Sequence, residues 1–140
     1  MKQKILIEEY KQKGFVVVKR FLSKKELAAC EKSLNSFAFT FKRKSKRDIN
    51  FTSSGEINSI HNLDKWLWIS KIRSKFSKNL IDKIVENKSK NFGSEYFAKP
   101  AKTGLASPVH QDNYYWCLNN DKGITAWVAL DKVDKKNGGV

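Results

Sequence analysis

The chain has 140 residues, 40% of them hydrophobic, with four tryptophans and nine phenylalanines, a composition that excludes intrinsic disorder and allows one domain with a real core. Its net charge of +14 comes from 24 lysines and 4 arginines spread from Lys2 to Lys136. Scattered lysine reads as a solvated surface, since readers of phosphates and bases lean on the bidentate fork of arginine.

From the N-terminus, Ile5, Leu6 and Tyr10 predict a short helix over residues 4–13, ended by Gly14. No apolar h-region or span-length run follows, so the protein is expected to be soluble, unexported and cytoplasmic. Residues 15–19, rich in β-branched valine, predict a strand. Ser23-Lys24-Lys25-Glu26 reads as a capping box, after which Leu27, Cys30, Leu34 and Phe37 recur at helical spacing. Cys30 and Cys117 have no metal or redox spacing and are expected to be free, buried thiols.

Residues 40–59 combine the basic run Lys42-Arg43-Lys44-Ser45-Lys46-Arg47 with Ser53-Ser54-Gly55 and predict a long loop. The basic run beside Phe37, Phe39 and Phe41 reads as a solvated loop next to core aromatics, with a nucleic-acid patch the weaker alternative. His61 is expected to be a surface or capping residue. Helices are predicted over residues 63–76, with Trp66, Ile69 and Ile72 on one face, and over residues 80–85, with Leu80, Ile81 and Ile84 on one face.

Beyond Phe92 the period changes, and residues 97–99, 109–117 and 124–133 predict strands. On the last, Ile124, Ala126, Val128 and Leu130 share one face, and Thr125, Trp127 and Ala129 the other, which is expected to look into a pocket. His110 and Asp112 share a strand face, with Cα atoms roughly 7 Å apart, so one metal ion could bridge them. The pair supplies two thirds of a 2-His-1-carboxylate facial triad for non-haem Fe(II).

The order His110-Gln111-Asp112-Asn113-Tyr114-Tyr115-Trp116, then Ala126-Trp127-Val128-Ala129-Leu130-Asp131, then Asn137-Gly138-Gly139 resembles the phytanoyl-CoA dioxygenase family. The likeness extends more faintly to Lys99-Pro100 and to Gly14-Phe15-Val16-Val17-Val18. It implies Fe(II), 2-oxoglutarate as co-substrate, O₂ and a small organic or lipid-like substrate that is hydroxylated. His110 and Asp112 match the metal ligands; Gln111, Trp127 and Lys99 match the co-substrate pocket; Tyr115 and Asn113 match the substrate side.

The resemblance also implies an α+β fold with a double-stranded β-helix (jelly-roll, cupin-like) core. The family's distal histidine and the arginine that grips 2-oxoglutarate would lie beyond Val140, with the C-terminal strands. Residues 1–140 are therefore expected to form a single, incomplete oxygenase domain, with residues 1–90 a helical support region that includes the first strand and residues 91–140 the first core strands, which carry His110 and Asp112. Two other readings stand beside it. One is an inactive fragment or interaction module that needs a strand-donating partner to cover its sheet edges. The other is a basic nucleic-acid-binding protein, the less favoured of the two.

Overall fold

A computed structural model describes the chain apart from residues 1, 45–47, 66, 77, 105, 119–121 and 140, and apart from the side chains of residues 2, 37–44, 65 and 67. The basic residues 42–47, Trp66 and the aromatic residues 37, 39 and 41 thus fall outside the described side chains, and so do the expectations made for them. The fold is α+β, with helices α1 (Lys2–Lys13), α2 (Lys24–Lys44), α3 (Leu67–Arg73), α4 (Lys78–Val85) and α5 (Asp112–Trp116) and strands β1 (Ile49–Phe51), β2 (Ile57–Ile60) and β3 (Tyr96–Phe97). Among the described residues, no helix is long and apolar enough to cross a membrane.

Helix α1 stops where Gly14 takes a φ of 76°, its N–H donating to the Tyr10 carbonyl at 2.7 Å. The capping box forms as the sequence dictates. Ser23 N–H donates to Glu26 Oε2 at 2.7 Å, and Glu26 N–H reaches Ser23 Oγ at 3.3 Å. Lys75 then donates to Glu26 Oε1 at 2.7 Å, and Phe21 packs on Phe76 with ring centroids 4.6 Å apart, so the start of α2 is pinned to the turn after α3. On α2, Cys30 is buried, and burial together with the neighbouring Glu31 charge pushes its thiol up to about 11, which keeps it protonated and inert.

The expected loop over residues 40–59 is corrected at both ends. Helix α2 continues to Lys44, and β1 and β2 form an antiparallel hairpin with Ile49 opposite Ile60 and Asn50 opposite Ser59. Its reversal is the Ser53-Ser54-Gly55 segment, where Gly55 has a φ of 81° and its N–H donates to the Thr52 carbonyl at 2.9 Å. Strand β3 pairs with β2, Ser59 opposite Phe97 and Ile60 opposite Tyr96, giving the order β1-β2-β3. The core lies under this sheet: Ile49, Ile60 and Leu63 are buried, with Ile57, Ile69 and Tyr96 packed on them.

The helix expected over residues 63–76 divides into a 3-10 turn at Leu63–Lys65 and α3, while α4 holds the predicted 80–85 segment with Leu80, Ile81 and Ile84 half-buried. Asp64 anchors the break. It accepts from Arg73 at 2.9 Å, from Asn91 at 2.7 Å and from Ser94 at 3.0 Å.

Three predicted strands are corrected. Residues 15–19 run without a ladder, and Phe15, Val17 and Val18 are exposed. Residues 109–117 form no strand: Gln111 is extended, and the chain then turns into α5. Residues 124–133 belong to no described sheet, and their alternation holds only in part: Ile124, Val128 and Leu130 are half-buried and Thr125, Trp127 and Ala129 exposed, but Ala126 is exposed as well. The reason is common to all three: β-branched composition or period-2 patterning favours an extended backbone, whereas a strand also needs a neighbour for its backbone groups. A double-stranded β-helix is not seen in the described sheet, which has three short strands.

Candidate metal centre

His110 and Asp112 owe their placement to a change of backbone between them. Gln111 is extended (φ −116°, ψ 125°), which puts its two neighbours on the same side, and Asp112 then opens α5. Asp112 favours a helix start, since a carboxylate complements the first turn of backbone N–H groups. The helix closes at Cys117, whose φ of 51° and exposed side chain correct the expectation of a buried thiol there.

The imidazole is oriented by the backbone. Nδ1 of His110 lies 2.7 Å from the Pro108 carbonyl oxygen, which can only accept, so Nδ1 carries a proton and Nε2 is the ring nitrogen left to meet another group. That nitrogen faces Asp112 Oδ1 at 3.3 Å. Two lone-pair atoms at this separation need a positive charge between them, either a proton on Nε2 or a metal ion. Two donors about 2.1 Å from one ion, at angles between a right angle and the tetrahedral one, stand about 3.0–3.4 Å apart, so the pair fits adjacent coordination positions.

The second carboxylate oxygen is engaged elsewhere. Thr125 Oγ1 donates to Asp112 Oδ2 at 2.5 Å, across 13 residues of chain. Tyr115 packs edge-on against the His110 ring, with centroids 5.9 Å apart.

These groups border an open cleft of about 770 Å³ lined by Gly14, His110, Gln111, Asp112, Asn113, Trp116, Gly123 and Thr125. Four residues singled out from the sequence, His110, Gln111, Asp112 and Asn113, therefore meet there. Tyr115 stands behind the imidazole, while Trp127 is 57% exposed and outside the lining. Lys99 lies along the C-terminal turn, its stem so close to Gly138 that a Cβ there would be 2.5 Å from Lys99 Cδ. Among the described residues, no group of three His, Cys, Asp or Glu side chains could hold a metal ion, and His110 and Asp112 stand as a pair.

Trp116, Gly123, Gly14 and Thr125 line the cleft without having been nominated from sequence. Gly123 has a steric role: a Cβ there would come within 2.7 Å of Trp116 Cζ3, so only glycine lets the indole lie against this segment. For Thr125 a signal existed, because its period-2 face is the one expected to look into a pocket.

A family model described as phytanoyl-CoA dioxygenase matches residues 10–140. The chain belongs to the phytanoyl-CoA dioxygenase family. At the level of the family this means an oxygenase dependent on Fe(II) and 2-oxoglutarate, with a cupin-like fold, acting with O₂ on small molecules. No curated protein and no solved structure matches the chain.

A second histidine cluster lies on the sheet. His61 Nδ1 is 2.9 Å from Glu95 Oε1, and its Nε2 is 3.0 Å from both Asn50 Nδ2 and Ser59 Oγ. The Ser-His-Glu connectivity matches that of a nucleophile, a base and an orienting carboxylate. Ser59 is 2% exposed, however, so no substrate carbonyl can reach its hydroxyl, and the cluster ties β1, β2 and the segment before β3 together. The expectation of a simple surface or capping role for His61 is corrected accordingly.

Proposed function

We propose that the protein is an oxygenase in which His110 Nε2 and Asp112 Oδ1 hold Fe(II), that it uses 2-oxoglutarate, and that it hydroxylates a small organic or lipid-like substrate. The observation that carries this reading is the imidazole nitrogen and the carboxylate oxygen facing each other at 3.3 Å beside a cleft. Iron with 2-oxoglutarate and O₂ supplies the oxidising power for C–H hydroxylation coupled to decarboxylation of the co-acid.

The chain's own residues supply geometry. Pro108 fixes the His110 tautomer, as outer partners of metal-binding histidines do, and Tyr115 holds the ring plane. Gln111 and Asn113 put amide donors and acceptors on the cleft wall, where they meet co-substrate and substrate, and Trp116 over Gly123 forms an apolar wall. Trp127 and Lys99 complete the co-substrate contacts in this reading. The double-stranded β-helix implied by the resemblance belongs to the same proposal, as does a third protein ligand. His61 does not supply that ligand, being committed to Glu95, Asn50 and Ser59.

Fe(II)-dependent conversion of 2-oxoglutarate to succinate by the protein tests the assignment. Asp112→Ala is expected to abolish it; turnover that persists in this variant overturns Asp112 as a ligand.

A further inference from the structure

Asp112 has two carboxylate oxygens, and a carboxylate can take a cation through one or both. Here the two are distinguished by their neighbours. Oδ1 points at His110 Nε2 across 3.3 Å, whereas Oδ2 accepts the Thr125 hydroxyl at 2.5 Å. A hydroxyl bonded to Oδ2 occupies a lone pair, draws charge from that oxygen and resists rotation of the carboxylate about its Cβ–Cγ bond.

We infer that Thr125 is a positioning residue of the candidate metal centre: its hydroxyl turns Asp112 so that Oδ1 alone is presented to a cation beside His110 Nε2. The inference rests on His110 and Asp112 being metal ligands. Its specific content is that the two oxygens are not equivalent: Oδ1 would be the one available to a cation, while Oδ2 is held by the Thr125 hydroxyl. Asp112 and Thr125 sit on different segments, α5 and the 124–133 run, so the bond also fixes one against the other at the edge of the cleft. With the Asp112 side chain 41% exposed, water competes for Oδ2, and the effect on affinity falls at the lower end of the range for residues that orient metal ligands, about tenfold.

The test is Mn(II) binding by the full chain, with free ion counted by electron paramagnetic resonance, in the unsubstituted protein and in Thr125→Val, Thr125→Ser and His110→Ala. Thr125→Val keeps the shape and removes the donor. It is expected to weaken Mn(II) binding about tenfold and to shift the Asp112 carboxylate ¹³C resonance in metal-free protein, while Thr125→Ser restores both. Thermal unfolding checks that all three variants remain folded. If His110→Ala loses Mn(II) but Thr125→Val binds as tightly as the unsubstituted chain, the positioning role is overturned and the ligand assignment stands. Should the unsubstituted chain bind no Mn(II), or His110→Ala bind it equally well, the ligand assignment itself is overturned and the role of Thr125 with it.

Discussion

The protein's two histidines each stand beside a carboxylate, and their surroundings differ in one decisive respect. His61 has protein partners on both ring nitrogens: Glu95 on one, Asn50 and Ser59 on the other, above a buried core. His110 has a backbone carbonyl on Nδ1 and, at Nε2, a carboxylate oxygen and the open cleft. A structural histidine is thus recognised by what satisfies its second nitrogen, and a candidate ligand by a second nitrogen directed at another lone pair. Pairing with an acid alone does not separate the two.

The contrast breaks most directly through the metal. His110→Ala is expected to lower Mn(II) affinity by more than about 100-fold, since removing a ligand costs more than disturbing its support. His61→Ala is expected to leave that affinity within about twofold while lowering the unfolding free energy by about 1 kcal/mol, as the amide and hydroxyl that met its Nε2 lose a partner. Equal losses in both variants, read in one titration series, would erase the distinction.

A second expected difference lies in what each cluster rests upon. Next to His61, Ile60 is fully buried against Ile49 and Leu63; next to His110, Val109 is fully exposed. Ile60→Ala should therefore cost about 2–4 kcal/mol in urea unfolding, through lost transfer energy and the cavity left behind. Val109→Ala should stay within about 0.5 kcal/mol. A large cost at Val109 would mean that the metal-centre segment is packed as firmly as the sheet.

The same contrast explains what could be read from the sequence. His110-Gln111-Asp112 was legible because one extended residue suffices to bring its neighbours to one side, and Gln111 is extended even though no ladder forms around it. The capping box at Ser23 and Glu26 was legible because both partners lie within one turn of chain. Strand identity over residues 109–117 and 124–133 was not, since pairing depends on a neighbour that the pattern does not name. Thr125 falls between these cases. Its face could be read, but its bond to Asp112 spans 13 residues and exists only once the two segments meet. The β1–β2 hairpin was not legible because Ser53-Ser54-Gly55 has the composition of any loop, although Gly55 marks a left-handed turn between two short strands.

The smallest expected effect concerns carboxylates that, unlike Asp112, are answered by an ammonium. Glu26 accepts from Lys75 and from the Ser23 hydroxyl and N–H, and these bonds, Lys75 foremost, hold its carboxyl down from an ordinary 4.5 to about 2. A carboxyl depressed in the folded state binds its proton more readily once unfolded. Its stabilising contribution is therefore complete above about 4.5 and is lost as pH falls towards about 2. Asp82, held to about 2 by Lys78 and Ser89, adds a loss in the same direction between its ordinary 3.8 and that value. Glu26→Gln should lower the melting temperature near neutral pH and flatten its decline between pH 4.5 and 2. Both groups in the Glu26 pair are partly exposed, so added salt should shrink the neutral-pH difference between the Glu26→Gln variant and the unsubstituted chain. An acid limb that keeps its full slope in Glu26→Gln would show that the capping box and its lysine do not couple α2 to the turn after α3.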